Sequence, residues 1–417
     1  MAKRKKILID KLVLTIVLFI LSGFIMLMLK NMDLQTLIIG IAVPLIFLFS
    51  SMLIPKLFSA DKLLLSLVNF LCSLGVLVLY RMNPEQGINH AINYFVGLIA
   101  MVVVMLSVKY LRKLKKLSLV IGLASILLMA LPLVVGREVG GAKAWVKIGG
   151  ASFQPSEIVK VVLVLVNAYF LSKNKLIMSV AYTGICLILL LLQRDLGTAL
   201  LYYIVTLLMM FMAFGSWLLL AAGILGAAAA VAISYPLLKK IGFAHLERRL
   251  QAWLNPWGNY RDAGYQTVQS LLAIVNGGIF GLGLGAGNAY TIPVKETDFI
   301  FPFIVNEFGI VFGICIILIY IIIFIRGIGV AMRCNHQMHS LMAAGSSLFL
   351  AIQTFVIIGG NINMFPITGV TLPFISYGGS SILSSMCLIG IIQGVENINK
   401  EHILEDELLA DIGENAV

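Results

Sequence analysis

The chain has 417 residues, of which 60% are hydrophobic and only 12% charged, with a mean hydropathy of +1.02 and a formal net charge of +11. A soluble domain is roughly half apolar and a quarter charged, so these figures exclude a soluble globular protein and select an integral membrane protein. The positive balance does not imply nucleic acid: the lysines and arginines stand in short connections between apolar runs, where they encode membrane topology.

Apolar runs of about 17–25 residues predict membrane-spanning helices, not the short alternating strands of a β-barrel. In chain order the predicted spans are 12–29, 34–54, 63–80, 91–108, 118–135, 158–171, 176–192, 196–214, 217–237, 299–325, 341–358 and 378–395. The expectation is an all-α integral membrane protein, a polytopic bundle of about twelve helices. The N-terminus is basic and then apolar but carries no small-residue cleavage site, so it reads as a retained span. The five cysteines are scattered and match neither a disulfide framework nor metal-ligand spacing.

Charge sets the expected orientation. With the N-terminus in the cytoplasm, the inner connections hold seventeen Lys and Arg, including Lys109, Arg112, Lys113, Lys115 and Lys116. The short outer connections hold six: Lys30, Arg81, Arg137, Lys143, Lys147 and Arg194. That asymmetry places both termini in the cytoplasm and the long connection 238–297 outside. The segment 399–417 is an acidic cytoplasmic tail.

Four segments carry more than a connection needs. Residues 140–150 (GGAKAWVKIGG), closed by 153–157 (FQPSE), read as an interfacial hairpin anchored by Trp145, or as an anion site built on Arg137, Lys143 and Lys147. Residues 193–198 (QRDLGT) place Arg194 and Asp195 at the outer end of a span, where ionisable groups are functional candidates; an internal ion pair or a helix N-cap is the alternative. The glycine-rich run 277–287 has no strand before it and no lysine after it, so it reads as close backbone packing or a hinge, not a nucleotide loop. Residues 361–381 hold prolines and glycines that break a helix, which membranes tolerate only inside protein or beside a wet cavity. Transporters also place substrate at such breaks.

The run from Thr368 to Ser381 (TGVTLPFISYGGSS) resembles the signature of the SEDS family (shape, elongation, division and sporulation), which includes RodA, FtsW and SpoVE. FQPSE at 153–157, DLGT at 195–198, GYQ at 264–266 with Gln269-Ser270, and TDFIF at 297–301 resemble the same family in the same order. The resemblance covers about 63–398; residues 1–62, with the first two spans, look like an addition to a ten-helix core whose large extracellular loop falls at 238–297. It implies a peptidoglycan glycosyltransferase of the bacterial cytoplasmic membrane that polymerises lipid II beside a class B penicillin-binding protein. It also implies an essential loop aspartate, and an ungapped alignment puts Asn259 at that position. Further departures are Ala144, Arg194, Val294 and Glu296.

The implied chemistry needs a carboxylate to take a sugar hydroxyl proton and cations to hold the departing pyrophosphate. Asp262, three residues from Asn259, is the candidate base, with Glu296 and Asp298 as rivals. Lys143, Lys147, Arg194, Arg248 and Arg261 are candidate pyrophosphate partners, and Gln154, Glu157, Asp195, Gln266, Asp298 and Ser376 complete the expected substrate site. No metal ligand set is expected; Mg or Mn accompanying the pyrophosphate is the one cofactor the chemistry admits. The competing readings are a lipid II flippase or solute carrier, and a catalytically silent scaffold for a penicillin-binding protein. A flippase needs charge through the membrane depth, whereas Lys160 is almost the only charge well inside a predicted span.

Overall fold

Asp33 and Asp61 accept hydrogen bonds from the first backbone N–H groups of the helices they precede, and Pro155 opens another at its first position. These are local start signals for a chain that is helical almost throughout. The computed structural model describes residues 2–31, 33–111, 117–139, 141–149, 151–240, 244–262, 264–287 and 289–414. Within them the helices are α1 (Ala2–Asn31), α2 (Leu34–Leu57), α3 (Lys62–Met82), α4 (Pro84–Leu111), α5 (Leu117–Val135), α6 (Pro155–Ser172), α7 (Leu176–Leu192), α8 (Leu196–Phe214) and α9 (Trp217–Lys240). They continue as α10 (Ala244–Leu254), α11 (Tyr265–Gly277), α12 (Ile300–Phe308), α13 (Ile310–Met332), α14 (Gln337–Asn361) and α15 (Gly379–Glu414). The basic residues expected at 112–116 lie outside the described residues, as do Gly140, Gly150 and Ala263.

Among the described residues, nine helices (α1–α4, α6, α8, α13, α14 and α15) are long and apolar enough to cross a membrane. The apolar stretches of α5, α7 and α9 are shorter, at Leu119–Val135, Leu176–Leu192 and Trp217–Ala230. The protein is thus a polytopic helical membrane protein. Its centre is α3, 94% buried along its apolar window, with α14 and α15 at 83% each, whereas α13 buries only 28% and turns the rest outward. Ser66, Asn69 and Ser73 of α3 are buried with its apolar residues, as suits a helix surrounded by protein and not by lipid.

The structure corrects three expectations. The hairpin at 136–157 is a three-stranded antiparallel sheet, β1 (Arg137–Val139), β2 (Ala142–Ile148) and β3 (Ala151–Phe153), in the order β1-β2-β3. The sheet lies in the connection between two bundle helices: alternation along AKAWVKI buries Ala144 and Val146 and leaves Lys147 outside. The predicted span 299–325 is two helices, α12 and α13, because Gly309 (φ +89°) ends the first and starts the second. The fourth helix begins at Pro84, a residue suited to the first helical position, and not at 91.

The glycine-rich run explains the break at Gly309. Leu282 N–H donates to Asn306 O (3.0 Å), Gly283 N–H to Glu307 O (2.9 Å), and Ile310 N–H to Gly278 O (2.9 Å). A Cβ on Gly281 would stand 2.2 Å from Glu307 O, so the run lies flat against the end of α12. Of the two expected roles, close backbone packing is the one seen.

The helices α1 and α3 attach to this packing. Lys30 Nζ and Arg81 Nη2 both donate to Gly285 O at 2.9 Å, while Glu307 Oε1 accepts from Gly285 N–H (3.2 Å) and stands 3.5 Å from Arg81 Nε. Below them Phe19 of α1 stacks on Phe312 of α13 at 5.7 Å.

Candidate active site

Between α14 and α15, residues 362–378 run without helix, and their backbone must find partners elsewhere. Arg249 Nη1 donates to Thr368 O (3.2 Å), Gln353 Nε2 to Thr371 O (2.8 Å), Tyr320 OH to Pro373 O, and His90 Nε2 to Phe374 O (3.1 Å). Tyr377 N–H donates to Glu296 O (2.9 Å) and Ser376 Oγ to Thr297 O (2.6 Å). These bonds clamp the 296–298 segment onto the broken helix. Ser376 thus holds two loops together, with its hydroxyl also accepting from Leu372 N–H at 2.9 Å.

The near end of this strut meets α8. Gly197 lies so close that a Cβ there would be 2.5 Å from Thr368 O. Asp195 caps α8 through Thr198 N–H (3.1 Å) and accepts from Gln154 Nε2 at 2.9 Å, joining α6 to the same corner. Burial pushes the Asp195 carboxyl up, against the bonds from Thr198 and Gln154, which lower it. The sheet is fixed here too, since Lys143 N–H donates to Gln193 O at 2.9 Å.

Under this corner lies a cavity of about 640 Å³ between α8, α10, α14 and residues 365–368. Leu200, Ile204, Ile352, Phe355 and Phe365 make it apolar, and Arg249 is the charged residue in its wall. Gly369 (φ +75°) sits beside Arg249. A Cβ there would stand 3.5 Å from Arg249 Nη2 and 3.8 Å from Asp298 Oδ2, so a cation and a carboxylate face one small space. Burial pushes the Asp298 carboxyl up to about 6, while the Thr297 hydroxyl and the Arg249 charge lower it.

The other sequence candidates are placed as follows. Glu157 points into the bundle, 2.5 Å from Lys160 Nζ and accepting from Ser384 Oγ at 2.8 Å. Lys143 Nζ donates to Leu133 O (2.8 Å) near the end of α5, and Lys147 is exposed on β2. Arg194 is exposed, 3.9 Å from Glu138. Gln266 is half-buried on the first turn of α11. Arg248, Arg261 and Asp262 are exposed. None of those three lines the cavity.

Sequence reasoning missed Arg249 in favour of Arg248. Helical spacing carried the signal: on α10, Arg249 shares a face with buried Ala252, whereas Arg248 lies with exposed Gln251. Asn259 is bound to the end of α10, with Nδ2 donating to Asn255 O (2.9 Å) and Gln251 O (3.4 Å). A carboxylate there can only accept, and would put negative charge beside helix C-terminal carbonyls. We expect Asn259→Asp to cost about 1 kcal/mol of stability, read as a lower thermal midpoint; an unchanged or higher midpoint would contradict the capping role.

The corner residues coincide with the segments whose resemblance was noted, and direct comparison decides the relationship. A family model described as "Cell cycle protein", spanning FtsW, RodA and SpoVE, matches residues 56–401. The chain belongs to this family. The match leaves α1 and nearly all of α2 ahead of it. The peptidoglycan glycosyltransferase RodA of Mycobacterium tuberculosis is 32% identical over 370 residues, covering 81% of this chain and 78% of that protein. The probable peptidoglycan glycosyltransferase FtsW of a Geobacter species is 31% identical, covering 80% and 96%. In three dimensions the chain is similar to a component of a peptidoglycan synthase complex that coordinates polymerization and crosslinking, with TM-score 0.69, 28% identity and coverage of 82% and 98%.

Proposed function

We propose that this FtsW/RodA/SpoVE-family protein is a peptidoglycan glycosyltransferase that polymerises lipid II at the outer face of the bacterial cytoplasmic membrane. The observation that carries the reading is the apolar cavity that ends on Arg249 and the Thr368 carbonyl. Its walls suit an isoprenoid chain, and its single cation suits the pyrophosphate that joins chain to sugar. The family's named members support the same activity.

In this reading twelve helices span, both termini are cytoplasmic, and the 238–297 loop with the β-sheet faces outward. The cations Lys147, Arg194, Arg248 and Arg261, exposed on outer segments, meet the anionic substrate on its way in. The partner is a class B penicillin-binding protein that crosslinks the strands, supported by the synthase complex among the structural relatives. Among the described residues no group of three or more His, Cys, Asp or Glu forms a metal centre. Mg or Mn would therefore take most of its ligands from pyrophosphate and water, and no step below depends on it.

The test is polymerisation of fluorescent lipid II by the purified protein with a class B penicillin-binding protein. Glycan ladders are the expected product. Movement of lipid II between vesicle leaflets without ladders would favour the transporter reading, and neither activity would favour the scaffold.

A further inference from the structure

We propose that Asp298 is the general base of this protein, with Arg249 holding the leaving pyrophosphate across Gly369. The inference rests on the glycosyltransferase reading and names the atoms that carry it out.

The space over Gly369 lies between the two charged side chains. A carbon built there would be 3.8 Å from Asp298 Oδ2 and 3.5 Å from Arg249 Nη2, and glycine leaves that volume open. Arg249 is fixed from behind by Thr368 O and lines the apolar cavity. Asp298 is fixed through its chain, because Glu296 O and Thr297 O, the two carbonyls just before it, accept from Tyr377 N–H and Ser376 Oγ. Arg249 thus links the two places: it stands in the wall of the apolar cavity and beside the space that Asp298 faces.

Three other candidates, Asn259, Asp262 and Glu157, lack these features. Asn259 cannot take a proton, and its amide is committed to α10. Asp262 is exposed, and Tyr265 N–H bonds its backbone carbonyl. Glu157 is bound to Lys160 and Ser384 inside the bundle.

In the step, the sugar hydroxyl oxygen of one lipid II bonds to the anomeric carbon of the lipid-linked chain. Its proton passes to the Asp298 carboxylate. The bond from anomeric carbon to pyrophosphate oxygen breaks, and its electron pair stays on that oxygen opposite the Arg249 guanidinium. Asp298 then returns the proton to water. A base must be ionised to act, so kcat falls as pH drops through the Asp298 pKa, and Arg249 is the charged group facing it.

The experiment compares wild type, Asp298→Asn, Asp298→Glu, Arg249→Gln and Asp262→Asn in detergent with the partner synthase, reading polymerisation from pH 5 to 8, lipid II binding and thermal midpoint. Asp298→Asn is expected to bind lipid II and lose about 10²–10⁴-fold in kcat, and Asp298→Glu to recover part of it. Wild type is expected to show an acid limb near pH 6. Arg249→Gln should move that limb to higher pH, since removing a cation raises a carboxyl pKa; a purely structural pair would produce no such movement. The proposal is overturned if Asp298→Asn polymerises within threefold of wild type, if Asp262→Asn alone abolishes turnover, or if the limb stays fixed in Arg249→Gln. A wild type that binds lipid II and never polymerises would instead sink the glycosyltransferase reading, and this proposal with it.

Discussion

Replacing Lys160 with Met is expected to destabilise the protein by about 3–5 kcal/mol, the usual result of leaving a buried charge without its partner. Lys160 is 1% exposed in the middle of α6, and it neutralises Glu157 at 2.5 Å. Its ammonium also donates to Gln353 Oε1 at 3.2 Å and stands 5.6 Å from the Phe349 ring centroid. Without the cation, Glu157 keeps one hydroxyl donor, Ser384, in an apolar surround. The double variant Glu157→Gln with Lys160→Met should regain most of the loss, because a neutral amide has no charge to desolvate. Thermal midpoints of the two singles and the double, read as a cycle, check this. Additive losses would mean the two side chains are not coupled.

The second large effect is expected at Gly309. Its backbone lies at φ +89° and ψ 167°, a region open essentially to glycine alone. A Cβ there would meet Ile279 O at 2.3 Å and Gly281 N at 2.5 Å, both backbone atoms of the glycine-rich run. Backbone strain of about 1–3 kcal/mol adds to the loss of the ladder joining that run to α12, so Gly309→Ala should cost about 3 kcal/mol or more. Gly329→Ala is the internal comparison. It lies on the same helix with nothing within 4 Å of the added carbon, and should be neutral or slightly stabilising. Equal midpoints for the two variants would contradict the packing described here.

Helices with apolar windows were legible in the sequence, because hydrocarbon length and composition dictate them locally. Where a helix ended was less so. The break at Gly309 was hidden in a predicted span that stays apolar on both sides of Asn306 and Glu307, since what interrupts α12–α13 is the 277–287 segment pressed against it from outside. The same distance in sequence concealed the site. Arg249, Thr368, Gly369, Gly197 and Asp298 come from α10, the broken helix, α8 and the loop before α12, and only tertiary packing puts them in one corner. Thr368 and Gly369, with Asp298, did lie in runs singled out from sequence. Asp262 drew attention through its nearness in sequence to Asn259, which says nothing about depth. The choice of Arg248 over Arg249 could have been avoided by following the face of α10 that carries Ala252.

The most direct test of the account asks where the lipid lies. Lipid II carrying a photoreactive diazirine in its isoprenoid chain, irradiated with the purified protein, should label peptides containing 196–204 and 352–356, the α8 and α14 faces of the cavity. Excess unlabelled lipid II should suppress that labelling. Label spread over the outward surfaces of α1 and α13, insensitive to unlabelled lipid II, would contradict it.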